Sequence, residues 1–533
     1  MSKITLNNFS GEFPGRAPES RKGVGADLAI DIDLSVGTLR PVHEDTLVSP
    51  LTGDTLFIED CCIQAYPGCK SIERVPVPCV KYFRNTIGYL EESSEPCGVW
   101  CRSGFPCPTK PPAVLVGSTQ TYEKVIARQY MYTYVKTDGS ESTASPASKA
   151  VLADWDLKAV VSGFEQPHAS YCITGIKIYS TAPSVAAGET PEADNTAFFH
   201  VATISLGTVV YTHPPVSTSY GDAWLVMDHG GPPPADIVDI QYWGGSQLAG
   251  LADDTIHFTY PRQFHKWPPE NILKPFAKPL RFLAANDYGY VLNCEHPEVI
   301  DLSNDCKNGM CHTIRRLDHA LPLLGIRSPA TYQSSVVYAS NQGLVMLSGT
   351  QASLLTGEVF SQDQWLNIHP NTMVGVVHDG HYYGFTDVET IKVRLPDKVY
   401  PQNNAVLTRL SVRAKAAYED NHGVLYYAAA DGSGIYSMGT GAGYKEYTYQ
   451  TIRLRNLGHM HYSHVQVDAA IGAPVDIIIN NVCRTGATEV SVIKCNRARL
   501  PRWLKLDEVQ VKILGKTEVY ELSFTQPFTH QYE

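Results

Sequence analysis

The chain has 533 residues, 43% of them apolar and 18% charged, with 41 Gly, 35 Pro and 30 Tyr and a net charge of −11. That length exceeds what one compact core serves, so at least two domains are expected. The acid excess and the lack of a dense Lys/Arg cluster argue against a protein that grips nucleic acid by neutralising phosphates, and no window approaches 18 uninterrupted apolar residues, so no membrane span is expected. Few charges with many turn formers and aromatics favour β structure, because Tyr, Val and Thr suit pleated surfaces while Gly and Pro punctuate turns.

The opening, "MSKITLNNFSGEF", has one early Lys and no apolar leader core, which predicts a soluble protein made and kept in a cytosol-like compartment. "EDTLVSPLTGDTLFI" (44–58) is one of two short helical candidates, both interrupted by Pro; the other is "LDHALPLLG" (317–325). Seven of the 13 cysteines fall within 47 residues: Cys61, Cys62, Cys69, Cys79, Cys97, Cys101 and Cys107. Three readings stay open for them. They are buried thiols packed as small hydrophobes, disulfides formed after release into an oxidising medium, or zinc ligands, although Cys97, Cys101 and Cys107 lack the tight paired spacing of structural zinc.

Residues 110–225 read as a small β-sandwich of fibronectin type III or immunoglobulin kind, inserted between propeller-like strands. Tyr130, Tyr132 and Tyr134 alternate along one face, and the strand ends at the Asp138-Gly139 turn. "SYCITGIKIYST" (170–181) and "FFHVATISLGTVVYTHPP" (198–215) supply further alternating strands. Strands resume in "IVDIQYWGGSQLAGLADDTIHFTY" (237–260).

A hairpin pattern then recurs: "RFLAANDYGYVLNC" (281–294), "VVYASNQGLVMLSG" (336–349), "VGVVHDGHYYGF" (374–385) and "VLYYAAADGSGIYSM" (424–438). Each is read as two half-buried strands around a turn glycine, at 289, 343, 380 and 432, spaced 54, 37 and 52 residues apart. Those intervals bracket the length of a four-stranded propeller blade. The expected fold is therefore all-β: a degenerate β-propeller with an inserted sandwich, divided as 1–109 (N-terminal arm, first propeller strands and Cys-rich insertion), 110–225 (sandwich) and 226–533 (main propeller and C-terminal strands).

Candidate chemistry is sparse. Cys294, His296, Cys306, Cys311 and His312 are metal-ligand types without regular spacing. "VHEDT" (42–46) and "VHDGH" (377–381) set His beside Asp, the second explained by its turn. "FSQDQWL" (360–366) lacks the glycine of a sialidase Asp box, and "GTGAGY" (439–444) has no strand–helix unit to make a phosphate cradle. In "HMHYSH", His459 and His461 share a strand face and His464 takes the other. "KCNRARLPRWLK" (494–505), the most basic run, reads as a solvated strand and turn. Nucleophile-elbow, P-loop, HExxH and EF-hand patterns are missing. No catalytic, cofactor or metal residue is assigned, and the chain is not expected to be an enzyme.

Several stretches, taken together and in order, resemble a family. "FSGEFPGRAPES…GADLAIDIDLSVGTLRPV" (9–42) resembles the start of tail-nozzle (tail tubular protein B-like) proteins of short-tailed phages, where a Pro-containing arm leads to Gly-x-Leu-Arg-Pro, here Gly37 to Pro41. "YMYTYVKTDGSESTASPAS", "GIKIYST", "VVYASNQGLVMLSG…LLTGEVFSQDQW" with Trp365, and "RARLPRW" resemble later segments of the same family. The resemblance implies a structural virion protein, made in the host cytoplasm and placed in the tail. It would form a homo-oligomeric ring, usually hexameric, below the portal and adaptor, with other tail proteins as neighbours and phage DNA passing through the lumen. It brings no catalytic residues, and the Cys-rich segment departs from it. A receptor-binding adhesin acting through the sandwich and a carbohydrate-acting propeller are the alternatives.

Overall fold

The computed structural model describes residues 3–12, 25–59, 62–68, 72–75, 80–84, 90–93, 100–116, 125–154, 158–181, 184–186, 197–214, 230–244, 246–301, 313–396, 406–455, 463–470, 475–481, 487–492, 497–500 and 508–525. Over these the fold is all-β, as the composition predicts. The chain divides into two compact units, one of residues 1–70, 276–303 and 313–533, the other of residues 71–275 and 304–312.

In the first unit, four antiparallel meander sheets succeed one another along the chain: 279–316, 330–354, 374–410 and 414–437. Their opening strands lie side by side in chain order, Pro279–Ala285 against Ala330–Tyr332, that against Val374–His378, and that against Ala414–Glu419. Strict alternation explains how they stack. Within the 330–354 sheet, Val336, Tyr338, Val345 and Leu347 pack with Leu283, Tyr290 and Leu292 of the preceding sheet. Val337, Ala339, Leu344 and Met346 pack with Tyr382, Ile391 and Val393 of the following one. The expectation of half-buried strands at 336–349 is thus corrected: each face meets a neighbouring sheet, so Ser335–Ala339 is buried at every position. The buried tyrosines remain satisfied, Tyr338 Oη donating to Leu321 O at 2.8 Å and Tyr382 Oη to Ser328 O at 2.8 Å.

Turn chemistry holds at 378–381, where Asp379 and Gly380 both have positive φ (46° and 69°) between the paired His378 and His381. It fails at 289. Asn286 (φ 52°) makes that turn, and Gly289 lies inside the strand Tyr288–Asn293, opposite Ala284. Neither helical candidate is a helix. Residues 44–58 hold strands Thr46–Ser49 and Thr55–Glu59, and 317–325 is irregular. The chain's α-helix among the described residues is Gln362–Asn367, inside "FSQDQWL", where Ser361 and Gln364 form a capping box. Its Trp365 is buried and donates from Nε1 to Ser340 O at 2.7 Å, fastening the 340–343 turn.

The N-terminal strands complete sheets made by the C-terminal half. Thr46–Ser49 adds the fourth strand to the 414–437 sheet. Ala26–Ile30 lies between Leu407–Leu410 and Tyr447–Thr451, extending the 374–410 sheet into one of ten strands. Lys3–Leu6 pairs with Val519–Thr525 in a second sheet. Both sheets close on one core that includes Leu6, Phe9, Ala29, Tyr449, Ile477, Ile513 and Phe524.

The second unit contains a meander sheet at 238–273, another at 72–102, and a sandwich. One sandwich sheet is Ala113–Val116, Ala159–Ser162 and Val210–His213; the facing one is Tyr130–Val135, Gly175–Thr181 and Phe198–Ser205. Tyr130, Tyr132 and Tyr134 share the core with Val161, Ile176 and Ile178, on one face as their alternation predicts. Ser142, Ser145 and Ser148 run beside that strand. Their hydroxyls accept from the amides of Tyr134, Tyr132 and Tyr130 at 2.9, 3.1 and 2.9 Å, and their own amides donate to the same residues' carbonyls. A three-residue spacing is thereby matched to a two-residue one, with serine Oγ in place of the missing carbonyls.

The cysteines separate. Cys101 is bonded to Cys172, 71 residues on, and Cys62 is also in a disulfide. Those positions follow the disulfide reading and not the buried-thiol one, and Cys101, with its sulfur in that bond, is not a zinc ligand. Cys107 is free and exposed, accepting from Thr143 Oγ1 at 3.2 Å. Cys61, Cys69, Cys79 and Cys97 lie outside the described residues.

Candidate functional site

A cleft of about 970 Å³ opens in the first unit. The hairpin Ile32–Asp33/Arg40–Pro41 forms one wall, the segment 42–44 and the loop at Gly443 and Tyr444 a second, the turn 516–518 a third, and Lys392 reaches in from strand Thr390–Arg394. Gly37-Thr38-Leu39-Arg40-Pro41 is held there by its backbone, Leu39 exchanging amide and carbonyl with Val519 at 2.9 and 3.0 Å. This delivers Thr38 and Arg40 to Glu518: Thr38 Oγ1 donates to Oε1 at 2.7 Å and Arg40 Nη2 at 3.4 Å, while Arg40 Nη1 lies 4.0 Å from Asp33 Oδ2.

Asp33 accepts from the Ser35 amide and hydroxyl at 2.9 and 3.1 Å. Burial pushes its carboxyl up, but those two donors, with Lys392 and Arg40 nearby, hold it below the ordinary carboxylate range. Lys392 lays its ammonium over the Tyr383 ring, 5.7 Å from the centroid. Burial lowers its pKa, and the attraction of Asp33 and Asp379 opposes that fall. The His43 ring packs against Tyr444, tilted by 32° with centroids 4.4 Å apart, leaving Tyr444 44% exposed at the rim. Gly441 is needed close by, since a Cβ there would stand 2.8 Å from the Glu44 carbonyl oxygen. Asp33 and Lys392 also line a pocket of about 30 Å³, which shares Ser35, His381 and Arg394 with one of about 380 Å³.

Three cations (Arg40, Lys392, Lys516) thus face three carboxylates (Asp33, Glu44, Glu518) beside one aromatic platform. Such a balanced lining offers paired donors and acceptors to a neutral, hydroxyl-rich ligand and little net attraction to a polyphosphate.

Of the sequence candidates, "VHEDT" contributes His43 and Glu44 to the cleft. Asp45 is instead structural, accepting from Tyr427 Oη, Lys445 Nζ and the Gly439 amide at 2.7, 2.7 and 2.9 Å. "GTGAGY" clasps that segment, the Gly441 amide donating to Glu44 O at 2.7 Å and Gly443 O accepting from the Glu44 amide at 2.9 Å. His378 sits 3.1 Å from Glu419, and His381 Nδ1 lies 2.7 Å from Asp379 O. His296 pairs with Leu317 O at 3.0 Å and Cys294 is exposed. Cys306, Cys311, His312, His459 and His461 lie outside the described residues, as does most of 494–505; Arg497–Arg499 there is a strand beside His464–Ala469. Sequence reasoning missed Lys392, Lys516 and Glu518, which no local motif marks and which only the topology assembles.

No family model matches the chain, and no curated protein does. Among solved structures, the chain is similar to Hsv2 of Kluyvelomyces marxianus at 11% identity, over 51% of this chain and 69% of that one, with a TM-score of 0.24. AztD of Citrobacter koseri matches at 10% identity over 73% and 98%, with a TM-score of 0.26. PorZ of Porphyromonas gingivalis matches at 11% over 79% and 69%, with a TM-score of 0.24. At these scores the likenesses identify neither a fold family nor an activity.

Proposed function

We propose that the chain is a structural component of a short-tailed phage virion, a nozzle ring below the portal and adaptor through which DNA leaves. The observation that carries the reading is the order of the resembling stretches along the chain, from Gly37–Pro41 through residues 130–148 and 336–365 to Arg497–Leu500. In this reading the successive meander sheets are blades of a degenerate propeller, and the sandwich is its insertion. The charge of −11 suits a conduit, because an acidic lumen repels phosphate where a basic one would hold it. Electron microscopy of intact particles carrying a tagged chain tests it. A closed, sixfold ring on the tail axis is expected; single copies or trimers at the tail periphery would overturn it.

A second reading, a saccharide-binding tail protein, is favoured by the charge-balanced cleft and its Tyr444 platform. It predicts that calorimetry detects binding of host surface oligosaccharides and that Tyr444→Ala weakens that binding about tenfold or more, the loss typical of a central aromatic contact. Equal affinity in the two proteins would remove it.

A further inference from the structure

The sandwich is joined to the 72–102 sheet in two ways, one covalent and one not. Cys101 lies in Cys101–Arg102, the edge strand that pairs with Glu91 and Glu92. From there residues 103–112 lead straight into the first sandwich strand, Ala113–Val116. Cys172 belongs to the sandwich, closing the turn Ala169–Tyr171 just before Gly175–Thr181. Their disulfide, across a separation of 71 residues, therefore ties the edge of the sheet to the body of the sandwich. The second link is non-covalent. Lys136 pairs with Glu92, the Ser103 hydroxyl donates to the same carboxylate at 2.9 Å, and Lys136 Nζ donates to Arg102 O at 3.4 Å. Arg102 lies over the Tyr171 ring, 5.0 Å from its centroid, and Phe105 shares the tyrosine core.

The polar and apolar contacts need no oxidation, so they dock the sandwich on the sheet in the reduced chain, and the disulfide adds a covalent hold at the same joint. Both cysteines are half-buried. A disulfide open to solvent is the labile, regulatory kind. We propose that Cys101 and Cys172 form a redox latch that locks the sandwich to the 72–102 sheet when the chain passes from a reducing to an oxidising solution. The latch rests on the nozzle reading for that passage, since a virion protein is made inside its host and released outside it, and on the joint for its mechanism. A small-molecule disulfide is the oxidant. One cysteine thiolate attacks it, releasing one thiol and leaving a mixed disulfide on the protein. The other thiolate attacks the cysteine sulfur of that bond, forming Cys101–Cys172 and expelling the second thiol. Two electrons leave the two cysteines, and their two protons end on the two released thiols. Reduction by a dithiol runs the same steps backwards.

The full-length protein is treated under native conditions with dithiothreitol and then with oxidised glutathione. Alkylation followed by peptide mass spectrometry reads the two cysteines. Hydrogen exchange reads the joint through the Ser103 amide, which donates to Leu90 O at 2.8 Å. Dithiothreitol is expected to expose both thiols while the circular dichroism stays unchanged, and oxidised glutathione to restore the Cys101–Cys172 cross-link. Exchange at the joint is expected to be about tenfold or more faster in the reduced protein, because opening there no longer has to break a covalent tie. Cys172→Ser is expected to keep the fast rate in both solutions. A bond that dithiothreitol opens only when the protein unfolds is a fixed staple and would overturn the latch. So would other cysteine partners for Cys101 or Cys172, or equal exchange in the two states of the wild type. That last comparison uses no variant, so it stands even where Cys172→Ser fails to fold. None of these readouts depends on where the chain sits in a particle, so a failure of the nozzle reading is seen separately, by microscopy of the tails.

Discussion

Glu12 is a fully buried acid held by a cation that it must share. Its Oε1 accepts from the Ala29 amide at 2.6 Å and its Oε2 from Arg409 Nε at 2.8 Å, while Arg409 Nη1 also pairs with Glu389. Burial outweighs Arg409 and raises the Glu12 pKa from 4.5 to about 7. A group that is harder to ionise in the folded state stabilises most below its unfolded pKa. That contribution therefore falls as pH rises from about 4.5 to about 7 and is flat beyond. A shift of that size corresponds to at most about 3 kcal/mol. In Glu12→Gln the slope of melting temperature against pH across this window is expected to flatten, as followed by circular dichroism; an unchanged slope would assign the dependence elsewhere. Nothing in "NNFSGEF" announces this residue, because its partners Glu389 and Arg409 arrive from almost 400 positions away.

At the scale of the element, the serine ladder beside Tyr130–Val135 shows what local sequence can carry. Ser145→Ala leaves the buried Tyr132 amide without the Oγ it donates to, which costs about 1–3 kcal/mol. Chemical denaturation should therefore show a lower midpoint for Ser145→Ala than for Ser140→Ala, whose hydroxyl is exposed and bonds Asp138. Much of the strand pattern was legible for the same reason: alternation is local, and Tyr130, Tyr132 and Tyr134 point one way whatever surrounds them. Burial on the second face was not legible. Val336 to Ala339 meet two different sheets, so a continuous apolar run stood for a doubly covered strand. The helical candidate at 44–58 is instead strand, where Thr46–Ser49 takes its conformation from pairing with Ile435–Ser437. Half of the cleft could be located beforehand, through Arg40 in its motif and His43 beside it. Lys392 and Glu518 are ordinary strand and turn residues until the fold brings them there.

At the scale of the molecule, the two compact units are separate in their cores. Removing residues 1–12 would strip the edge partner from Val519–Thr525 and take Phe9 and Glu12 out of the first unit. Scanning calorimetry should then show the first unit's transition lowered by about 5 °C or more and the second unit's left in place. One transition moving as a whole would contradict that independence.

The pairing of Lys3–Leu6 with Val519–Thr525 also sets a schedule. A ribosome adds about 5–20 residues per second, so the first strand emerges roughly half a minute or more before its partner exists. Lys3–Leu6 waits longest, Ala26–Ile30 until Leu407–Leu410 and Thr46–Ser49 until Ile435–Ser437, and the second unit, whose strand partners lie within residues 71–275, can finish before any of them. Val519–Thr525 is the last of these partners to be made, so a ribosome that stops before residue 407 releases a chain in which all three N-terminal strands are unpaired.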